Sequence, residues 1–445
     1  MAEASPSLPD VQPGRRDSVA YATAFADAAP RFTRSQALVE SERCLYCYDA
    51  PCQQACPTGI DVPSFIRRIA DDNLRGAART ILESNPLGGT CARVCPTEEL
   101  CEQVCVRVAQ QGLPVTIGRL QRYAVDAVMD RPVTALFTRA AASGKRVAVV
   151  GAGPAGIACA FGLARLGHEV VIHDARPLGG GLNEYGLATY KMAGGFAQAE
   201  LDWLLQIGGI TLQLGWSLQD AAQLQTLRAG FDAVYLAIGL TRTNALRIAG
   251  EELSGVRDAV HFIAELRSAA DPARLPVGRR VVVIGGGMTA IDAAVQSRLL
   301  GAESVHMVYR GAPERMSASA AEQDWAQTQG VAIRHGLSPV EIIGHEGHAV
   351  AVRFVRTAGA GQGIEEIFAA DQVFKAIGQQ MDDSLLAGSG LRLEGSRVVA
   401  DLDGRTGVSG LYVGGDCRAG GRDLTVEAVE DGKRAARAIH AQLTA

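Results

Sequence analysis

Eight of the chain's ten cysteines lie between residues 44 and 105, and their spacing limits what the chain can fold into. They are spaced as Cys44-x2-Cys47-x4-Cys52-x3-Cys56 and as Cys91-x3-Cys95-x5-Cys101-x3-Cys105. Soft thiolates this close together suit iron–sulfur clusters. Pro57 and Pro96 each follow a cysteine, as proline does at the end of bacterial ferredoxin motifs. Eight thiolates fit two 4Fe–4S clusters, or two clusters with one ligand that is not cysteine and one spare thiol.

Three other roles for these cysteines fit the sequence less well. The chain opens with MAEASPSLPD, which lacks a charged segment followed by an apolar one, so nothing directs it to an oxidising compartment where disulfides form. Structural zinc sites usually contain two Cys-x2-Cys pairs or histidine, and no histidine lies between Cys44 and Cys105. Eight cysteines in one window are too dense for buried, unligated thiols. We therefore expect iron–sulfur clusters in a reducing, cytoplasmic setting.

Length and charge restrict the remaining functions. A chain of 445 residues predicts about three domains. The formal net charge of -5 argues against a nucleic-acid partner. No apolar run reaches the roughly 18 residues of a membrane span, so we expect no membrane partner either.

The first 140 residues carry helical patterns around the cysteines. Asp61 is a good N-cap for a helix with an early proline, and Phe65, Ile66 and Ile69 follow at helical spacing. No strand pattern occurs before about residue 145. This part of the chain is therefore predicted to be a helical domain wrapped around its clusters.

A first dinucleotide-binding motif begins where the pattern changes to α/β. Residues 146–150 predict a buried strand, and Gly151-x-Gly153-x-x-Gly156 follows directly and leads into a helix. The next predicted strand ends at Asp174, an acid that can accept a hydrogen bond from a ribose hydroxyl. These glycines permit the tight turn and let backbone N–H groups reach a pyrophosphate at the helix N-terminus. The alternative is that these glycines form an ordinary turn without a nucleotide. An ordinary turn does not require the strand, helix and second strand that surround them here.

A second unit follows the same design. Residues 281–284 predict a buried strand, followed by Gly285-x-Gly287-x-x-Ala290 and a helix. Alanine at the third position still allows close packing of helix on strand. The following strand ends in Tyr309 and carries no acid.

Three further stretches indicate that one dinucleotide domain is inserted in the other. Residues 231–239 and 372–378 resemble each other, each a strand that ends in Ile-Gly, and residues 411–416 form a strand that ends in glycines and an acid. The predicted fold class is α/β, with an all-helical iron–sulfur domain followed by two nested Rossmann-like dinucleotide-binding domains. The predicted domains are a helical cluster domain (1–140), an FAD-binding domain in two parts (141–250 and 375–445) and an NAD(P)H-binding domain (251–374).

This nesting resembles the flavin disulfide-reductase-like enzymes over about residues 145–445. The resemblance implies FAD at the first glycine motif and NAD(P)H at the second. The cofactor-binding residues expected on this basis are Gly151, Gly153, Gly156, Asp174, Gly181, Leu182, Lys191, Gly239, Gly285, Gly287, Thr289, Ala290, Arg310, Arg315, Gly378, Gly415, Asp416 and Thr425. Lys191 keeps a positive charge where the family has an arginine beside the flavin, and its alternative role is that of an ordinary solvated lysine. The redox Cys-x4-Cys of the disulfide reductases is missing, so the clusters must take the electrons that a disulfide would otherwise take.

The cysteine region narrows the resemblance further. It resembles the small flavin-containing subunits of bacterial dihydropyrimidine dehydrogenase more closely than those of glutamate synthase, which share the architecture but differ in their cysteine region. The motifs that carry it are CLYCYDAPCQQACP (44–57), NPLGGTCARVCPT (85–97), LCEQVC (100–105) and IGRLQRY (117–123). The resemblance implies one cluster on Cys44, Cys47, Cys52 and Cys105, and a second on Cys56, Cys95, Cys101 and the amide of Gln121, with Cys91 spare.

The same resemblance implies a function in electron input. A hydride would pass from NAD(P)H to FAD, and single electrons would pass through the clusters to a partner subunit that reduces uracil or thymine. That partner would be an FMN/iron–sulfur barrel subunit in a hetero-oligomer, because this chain has no barrel or pyrimidine site. Two alternatives stay open: delivery of electrons to glutamate synthase or ferredoxin, and a non-catalytic iron–sulfur redox sensor. No catalytic acid or base is expected, because hydride transfer to flavin needs none.

The donor nucleotide is predicted from the end of the second strand in the second dinucleotide fold. An arginine there accommodates the 2′-phosphate of NADPH. Arg310 and Arg315 lie in this region and can bind a phosphate together, so NADP(H) is slightly favoured over NAD(H). The alternative is that Arg310 lies over the adenine or pairs with Glu314.

Overall fold

The computed structural model describes residues 16–357 and 361–445, so the opening MAEASPSLPD segment lies outside the described residues. Its helices are α1 (Ser18–Ala24), α2 (Arg34–Glu42), α3 (Pro51–Gln54), α4 (Val62–Ala70), α5 (Leu74–Ser84), α6 (Gly88–Val94), α7 (Val106–Gln111), α8 (Ile117–Asp126), α9 (Pro154–Arg165), α10 (Leu182–Tyr185), α11 (Phe196–Leu205), α12 (Ala221–Gly230), α13 (Ala259–Ser268), α14 (Met288–Leu300), α15 (Ala320–Thr328) and α16 (Thr425–Thr444). Short 3-10 helices occupy Thr97–Glu99, Val133–Ala135, Ala193–Gly195, Pro272–Arg274, Pro313–Arg315, Asp383–Leu386 and Gly415–Cys417. Within the described residues, no helix is long and apolar enough to cross a membrane.

The strands begin only after the helical region, as the sequence predicts. They are β1 (Arg146–Val150), β2 (Glu169–Asp174), β3 (Ile210–Leu214), β4 (Ala233–Leu236), β5 (Arg242–Thr243), β6 (Val256–Asp258), β7 (Arg280–Ile284), β8 (Ser304–Tyr309), β9 (Val331–His335), β10 (Leu337–His345), β11 (His348–Arg356), β12 (Glu365–Ala369), β13 (Gln372–Lys375), β14 (Gln379–Gln380), β15 (Leu393–Glu394), β16 (Arg397–Val398) and β17 (Leu411–Val413). The mixed α/β fold class is therefore confirmed.

The chain divides into two compact units. The cysteine unit contains Ala29–Glu184, Gly194–Arg242 and Gln380–Ala445. The insert unit contains the described residues 16–28, Tyr185–Ala193 and the described part of Thr243–Gln379. The chain thus enters and leaves the main part of the insert directly after the two stretches that end in Ile-Gly. Two short segments that the sequence placed in other domains, up to Ala28 and Tyr185–Ala193, group with the insert.

The helical part of the cysteine unit forms around a shared apolar core. Asp61 caps α4 by accepting from the Ser64 N–H at 3.1 Å, as its position predicts. Phe65, Ile66 and Ile69 of α4 are at most 1% exposed and pack with side chains of α5 and α8. These contacts hold the loops that carry the cysteines.

The cysteine unit also contains a five-stranded parallel sheet of order β17-β4-β1-β2-β3. Strand β1 is the first in sequence but lies in the middle, with β2 and β3 on one side and β4 and β17 on the other. In such sheets, ligands bind beyond the carboxyl ends of the strands where the strand order reverses. This sheet therefore directs a ligand to the turn after β1.

The insert unit repeats this arrangement. Its parallel sheet has the order β6-β13-β7-β8-β9, with β7 in the middle. Helix α1 packs with this unit, and the Tyr21 hydroxyl donates to the Leu300 carbonyl at 2.7 Å. An antiparallel sheet of β10, β11 and β12 was not predicted from the sequence.

Candidate cofactor sites

Four cysteines of the cysteine unit line one cavity, which we call the first cysteine site. They are Cys44, Cys47, Cys52 and Cys105. The cavity encloses about 380 Å³, including its open side. Burial, and then the nearby Cys44 and Cys105 thiols, raise the pKa of Cys52 to about 12. Four soft sulfur donors around one cavity are the donor set that an iron–sulfur cluster takes, so these residues fit such a cluster.

Four other cysteines are neighbours in what we call the second cysteine site: Cys56, Cys91, Cys95 and Cys101. A hydrogen bond with the Cys91 thiol, together with burial, holds the pKa of Cys95 well above its usual value. Cys101 and Cys56 both act on that thiol as well. Burial likewise raises the pKa of Cys101.

Gln121 lies on α8, which packs against α6, and its side chain is 7% exposed. Its Nε2 donates to the Gly88 carbonyl at 2.7 Å, at the start of the helix that contains Cys91. No described residue donates to its Oε1, so this oxygen is available as a ligand. The first site contains the four cysteines of one implied ligand set, and the second contains three cysteines of the other set together with Cys91. The ligands themselves stay a prediction.

The second cysteine site also reaches helix α16. Cys91 is 2% exposed and forms a small apolar cluster with Leu100 and Val426, against which Cys95 and Leu424 pack. Leu424 and Val426 flank Thr425, the first residue of α16. The start of α16, which carries the predicted cofactor-binding residue Thr425, thus lies beside this site.

The first glycine motif forms a cradle in which Gly151 and Gly156 have no room for a side chain. Gly151 has φ of 111°, and a Cβ there would lie 2.2 Å from the Ala237 carbonyl oxygen. A Cβ on Gly156 would lie 1.9 Å from the Gly151 oxygen, and one on Gly181 would lie 2.7 Å from the Cα of Gly153. The bare backbone at these positions and the start of α9 leave room for a pyrophosphate, so the cradle fits a dinucleotide.

Other predicted FAD residues surround the carboxyl edge of this sheet. Asp174 accepts from the Ala152 N–H at 2.6 Å and from the Arg176 N–H at 2.8 Å, which leaves lone pairs for a hydroxyl. Burial, and then Asp423, raise the pKa of Asp416 to about 6. Thr425 donates to the Asn183 amide oxygen at 3.2 Å. Gly239 and Gly415 have positive φ, and Leu182 begins α10.

The second glycine motif has the same geometry in the insert unit. A Cβ on Gly285 would lie 2.2 Å from the Ala376 oxygen. Gly287 caps α14 and Ala290 is fully buried in it, with Thr289 between them. Gly378 has φ of 92°, which favours glycine.

The two predicted phosphate-binding arginines are exposed after β8. The Tyr309 hydroxyl donates to the Arg315 carbonyl at 2.7 Å, and Thr357 donates to the Arg310 carbonyl at 3.1 Å. Among the described residues, neither guanidinium has an ion-pair partner, so the expected alternative pairing of Arg310 with Glu314 does not occur.

Lys191 belongs to the insert unit and is buried there. Its Nζ lies 2.7 Å from Asp292 and 2.7 Å from Glu322, and its side chain is 14% exposed. These carboxylates outweigh the effect of burial and raise the pKa of Lys191. The solvated alternative is therefore wrong, and the positive charge expected to serve flavin is already compensated by two carboxylates.

Two buried polar groups were missed from the sequence. Asp431 of α16 accepts from the Gly415 N–H at 3.0 Å and pairs with Arg418, so it holds the loop before α16. Glu200 of α11 accepts from the first turn of α6, at Gly89 and Thr90. Neither acid is part of a motif. The only signal in the sequence is the position of each carboxyl on the apolar face of a predicted helix.

Two family models match the chain. The family described as dihydropyrimidine dehydrogenase domain II, 4Fe-4S cluster, matches residues 21–133. The pyridine nucleotide-disulphide oxidoreductase family matches residues 145–432.

Curated relatives match nearly the full chain. The NAD-dependent dihydropyrimidine dehydrogenase subunit PreT of Escherichia coli K12 is 34% identical over 415 residues, which cover 93% of this chain and 96% of that protein. The glutamate synthase (NADPH) small chain of Escherichia coli K12 is 30% identical and covers 93% of each. Among solved structures, thioredoxin reductase of T. acidophilum has a TM-score of 0.53 at 21% identity over 68% of this chain and all of that chain, a likeness that shows the fold alone.

Proposed function

We propose that this chain is the electron-input subunit of a pyrimidine reductase. The chain belongs to the family of PreT-type dihydropyrimidine dehydrogenase subunits, within the pyridine nucleotide-disulphide oxidoreductases. The chain is an NAD(P)H-dependent flavin and iron–sulfur oxidoreductase. The finer proposal is that a partner subunit with an FMN/iron–sulfur barrel takes its electrons and reduces uracil or thymine to the 5,6-dihydropyrimidine.

One observation carries this proposal: a single compact unit contains both cysteine sites and the first glycine cradle. We assign FAD to the cradle at Gly151, Gly153 and Gly156, where backbone N–H groups face the place of a pyrophosphate. We assign one 4Fe–4S cluster to each cysteine site. Bound there, FAD would supply the conversion of a two-electron hydride from NAD(P)H into single electrons for the clusters. Asp431 and Asn183 position the loop and helix end around that flavin through Gly415 and Thr425.

The surface beside the first cysteine site supports docking of a partner. Leu45 and Val106 line the cavity and are exposed at its mouth, and Tyr48 next to Cys47 is fully exposed. Tyrosine is one of the residues that most often anchor protein interfaces, and apolar neighbours help to exclude water around such an anchor. We therefore place the barrel subunit over this mouth, where it can receive electrons.

Anaerobic reconstitution of the purified chain, alone and with the barrel subunit, tests the proposal. The chain alone should contain about eight irons, the number for two 4Fe–4S clusters, and one FAD. It should reduce an artificial acceptor with NAD(P)H but not uracil, and uracil reduction should begin when the barrel subunit is added. Uracil turnover by the chain alone, or iron replaced by zinc, would contradict the proposal. Transfer to glutamate synthase or ferredoxin in place of the barrel subunit would favour the alternative acceptors.

The choice of donor is a separate part of the proposal, because the relatives include an NAD-dependent protein and an NADPH protein by name. We propose NADPH, since the exposed and unpaired Arg310 and Arg315 can bind its 2′-phosphate. Arg310→Ala and Arg315→Ala should each lower kcat/KM for NADPH by roughly tenfold or more, the value of a charge-assisted hydrogen bond, and leave NADH unaffected. Arg274→Ala, an exposed arginine of the same unit, is the control. A parent that uses NADH better, with no selective loss in either variant, would reject this site.

A further inference from the structure

Glu200 is a carboxyl buried among neutral hydrogen-bond donors. Its side chain is 1% exposed. Oε1 accepts from the Gly89 N–H at 2.7 Å, both oxygens lie 3.2 Å from the Thr90 nitrogen, and Oε2 accepts from the Thr90 hydroxyl at 2.5 Å. These donors stabilise the charged form, whereas burial stabilises the neutral form.

No base forms an ion pair with Glu200 within the described ranges. The guanidinium of Arg93 on α6 acts on it from a distance, but Arg93 is paired with Asp126 at 2.9 Å and lies over the Phe196 ring. Asp126 also pairs with Arg122, so the positive charge around α6 and α8 is shared with another acid. The charged side chains of α9 and α11 do not pair with Glu200 either. Arg165 of α9 pairs with Glu83, and Asp202 of α11 is exposed.

The helix that Glu200 holds is part of the second cysteine site. Helix α6 contains Cys91 and ends at Val94, directly before Cys95, and the Gln121 amide donates to the carbonyl of Gly88, the first residue of the helix. A charge at Glu200 therefore acts on this site through buried protein, where electrostatic interactions are screened little. Reduction adds one negative charge to a cluster, which opposes the charged form of a nearby carboxyl.

We propose that Glu200 couples reduction of the second iron–sulfur cluster to the uptake of one proton. This inference rests on the proposed function, because it requires a cluster at Cys56, Cys95 and Cys101. One O–H bond forms on the Glu200 carboxylate, with a proton from solvent, as the site gains one electron that NAD(P)H supplies. The bond breaks and the proton returns to solvent when the electron leaves for the first site. Charge is balanced at every stage, so the electron can enter buried protein without leaving an uncompensated charge.

The environment of Glu200 suits this coupling at neutral pH. Burial raises the pKa of Glu200 to about 7, although the bonds from Thr90 and Gly89 lower it. An added electron raises the pKa further, so the oxidised site favours the carboxylate and the reduced site the acid above neutral pH. The reduction potential must therefore fall as pH rises through this range. When one proton is taken up with one electron, the steepest possible slope of the reduction potential is about 59 mV per pH unit. This slope corresponds to a tenfold change in the equilibrium constant.

Anaerobic redox titrations of the holoprotein, followed by electron paramagnetic resonance between pH 6 and pH 8.5, test the coupling. In the parent, the potential of the second cluster should fall with pH and that of the first should not. Glu200→Gln keeps the size of the side chain but cannot ionise, so its second cluster should stay at the value that the parent has at low pH. Thr90→Val removes one donor to the carboxylate, so the sloping range should move to higher pH. Glu83→Gln, an exposed acid of the same helical region, should behave as the parent.

A parent potential that does not change with pH would overturn the inference, and so would a Glu200→Gln variant with the parent slope. Should Glu200→Gln fail to fold, an unmoved slope in Thr90→Val would overturn it equally. Iron analysis separates this inference from the proposed function. Two intact clusters without a pH slope would reject only the role of Glu200, whereas a missing second cluster would reject the cofactor content proposed above.

Discussion

The two cysteine sites contain the same kind of side chain but lie in different surroundings. The first lines a cavity whose mouth exposes Leu45 and Val106. The second lies beside α6 and the start of α16, where Cys91 is buried against Val426 and Cys95 packs on the same cluster, so it is the more enclosed of the two. An open site suits the transfer of electrons to another protein. An enclosed site suits the transfer of electrons from a cofactor held by the same unit. The difference therefore supports electron flow from flavin through the second site and out through the first.

The largest expected effect comes from removing one site. Cys105→Ser should lose the first cluster and about half of the iron of two 4Fe–4S clusters, while reduction of flavin by NAD(P)H continues. Iron analysis and the visible spectrum measure this. Cys91→Ser is the matched control in the second site, and it should keep both clusters because Cys91 is expected to be spare. Loss of a cluster from the control would make Cys91 a ligand.

A smaller change should alter the second site without removing it. Gln121→Cys adds a thiolate charge at a neutral position, which lowers the potential of an iron–sulfur cluster. Redox titration should show a shift in the second cluster alone. Unchanged potentials and spectra for both clusters would take Gln121 out of the ligand set and make the two sites more alike than we propose.

A third prediction compares the exposed surface at the mouth of the first site with an exposed surface of the insert unit. Tyr48→Ser should lower the rate of transfer to the barrel subunit by roughly tenfold at subsaturating partner, as expected for loss of an exposed aromatic anchor. Reduction of an artificial acceptor should not change. Ile367→Ser removes another exposed apolar side chain, in the insert unit, and serves as the control. A similar loss in both variants would show that this mouth is not the docking surface.

The smallest expected effect concerns a single hydrogen bond in the second site. The Cys56 sulfur lies 3.3 Å from the Thr58 hydroxyl. A hydrogen bond donated to a ligating sulfur raises the reduction potential of an iron–sulfur cluster. Thr58→Val should therefore lower the potential of the second cluster by a few tens of millivolts, the equivalent of about 1 kcal/mol. Redox titration should show no matching shift in the first cluster. A shift of equal size in both would mean that the variant changes the whole domain.

Much of the fold was predictable from local patterns. The turns at Gly151 and Gly285 need backbone without a Cβ, and each lies between an apolar strand and a helix, so the motif specifies its own geometry. Asp61 and the apolar positions of α4 likewise specify a helix with one buried face. The antiparallel sheet β10–β12 was missed, because its two exposed strands carry mixed polar and apolar residues without a clear alternation.

The sequence by itself determined the types of ligand and the local turns, because cysteine spacing and glycine motifs act over a few residues. Residue spacing left open which cysteines share a site, and the family resemblance supplied the two sets. Only the tertiary structure brought Glu200 to Thr90, which is 110 residues away in the chain, and bound Lys191 to Asp292 and Glu322. Such contacts have no period in the sequence. They arise because packing buries polar groups, and a buried charge must find its partners wherever the fold provides them.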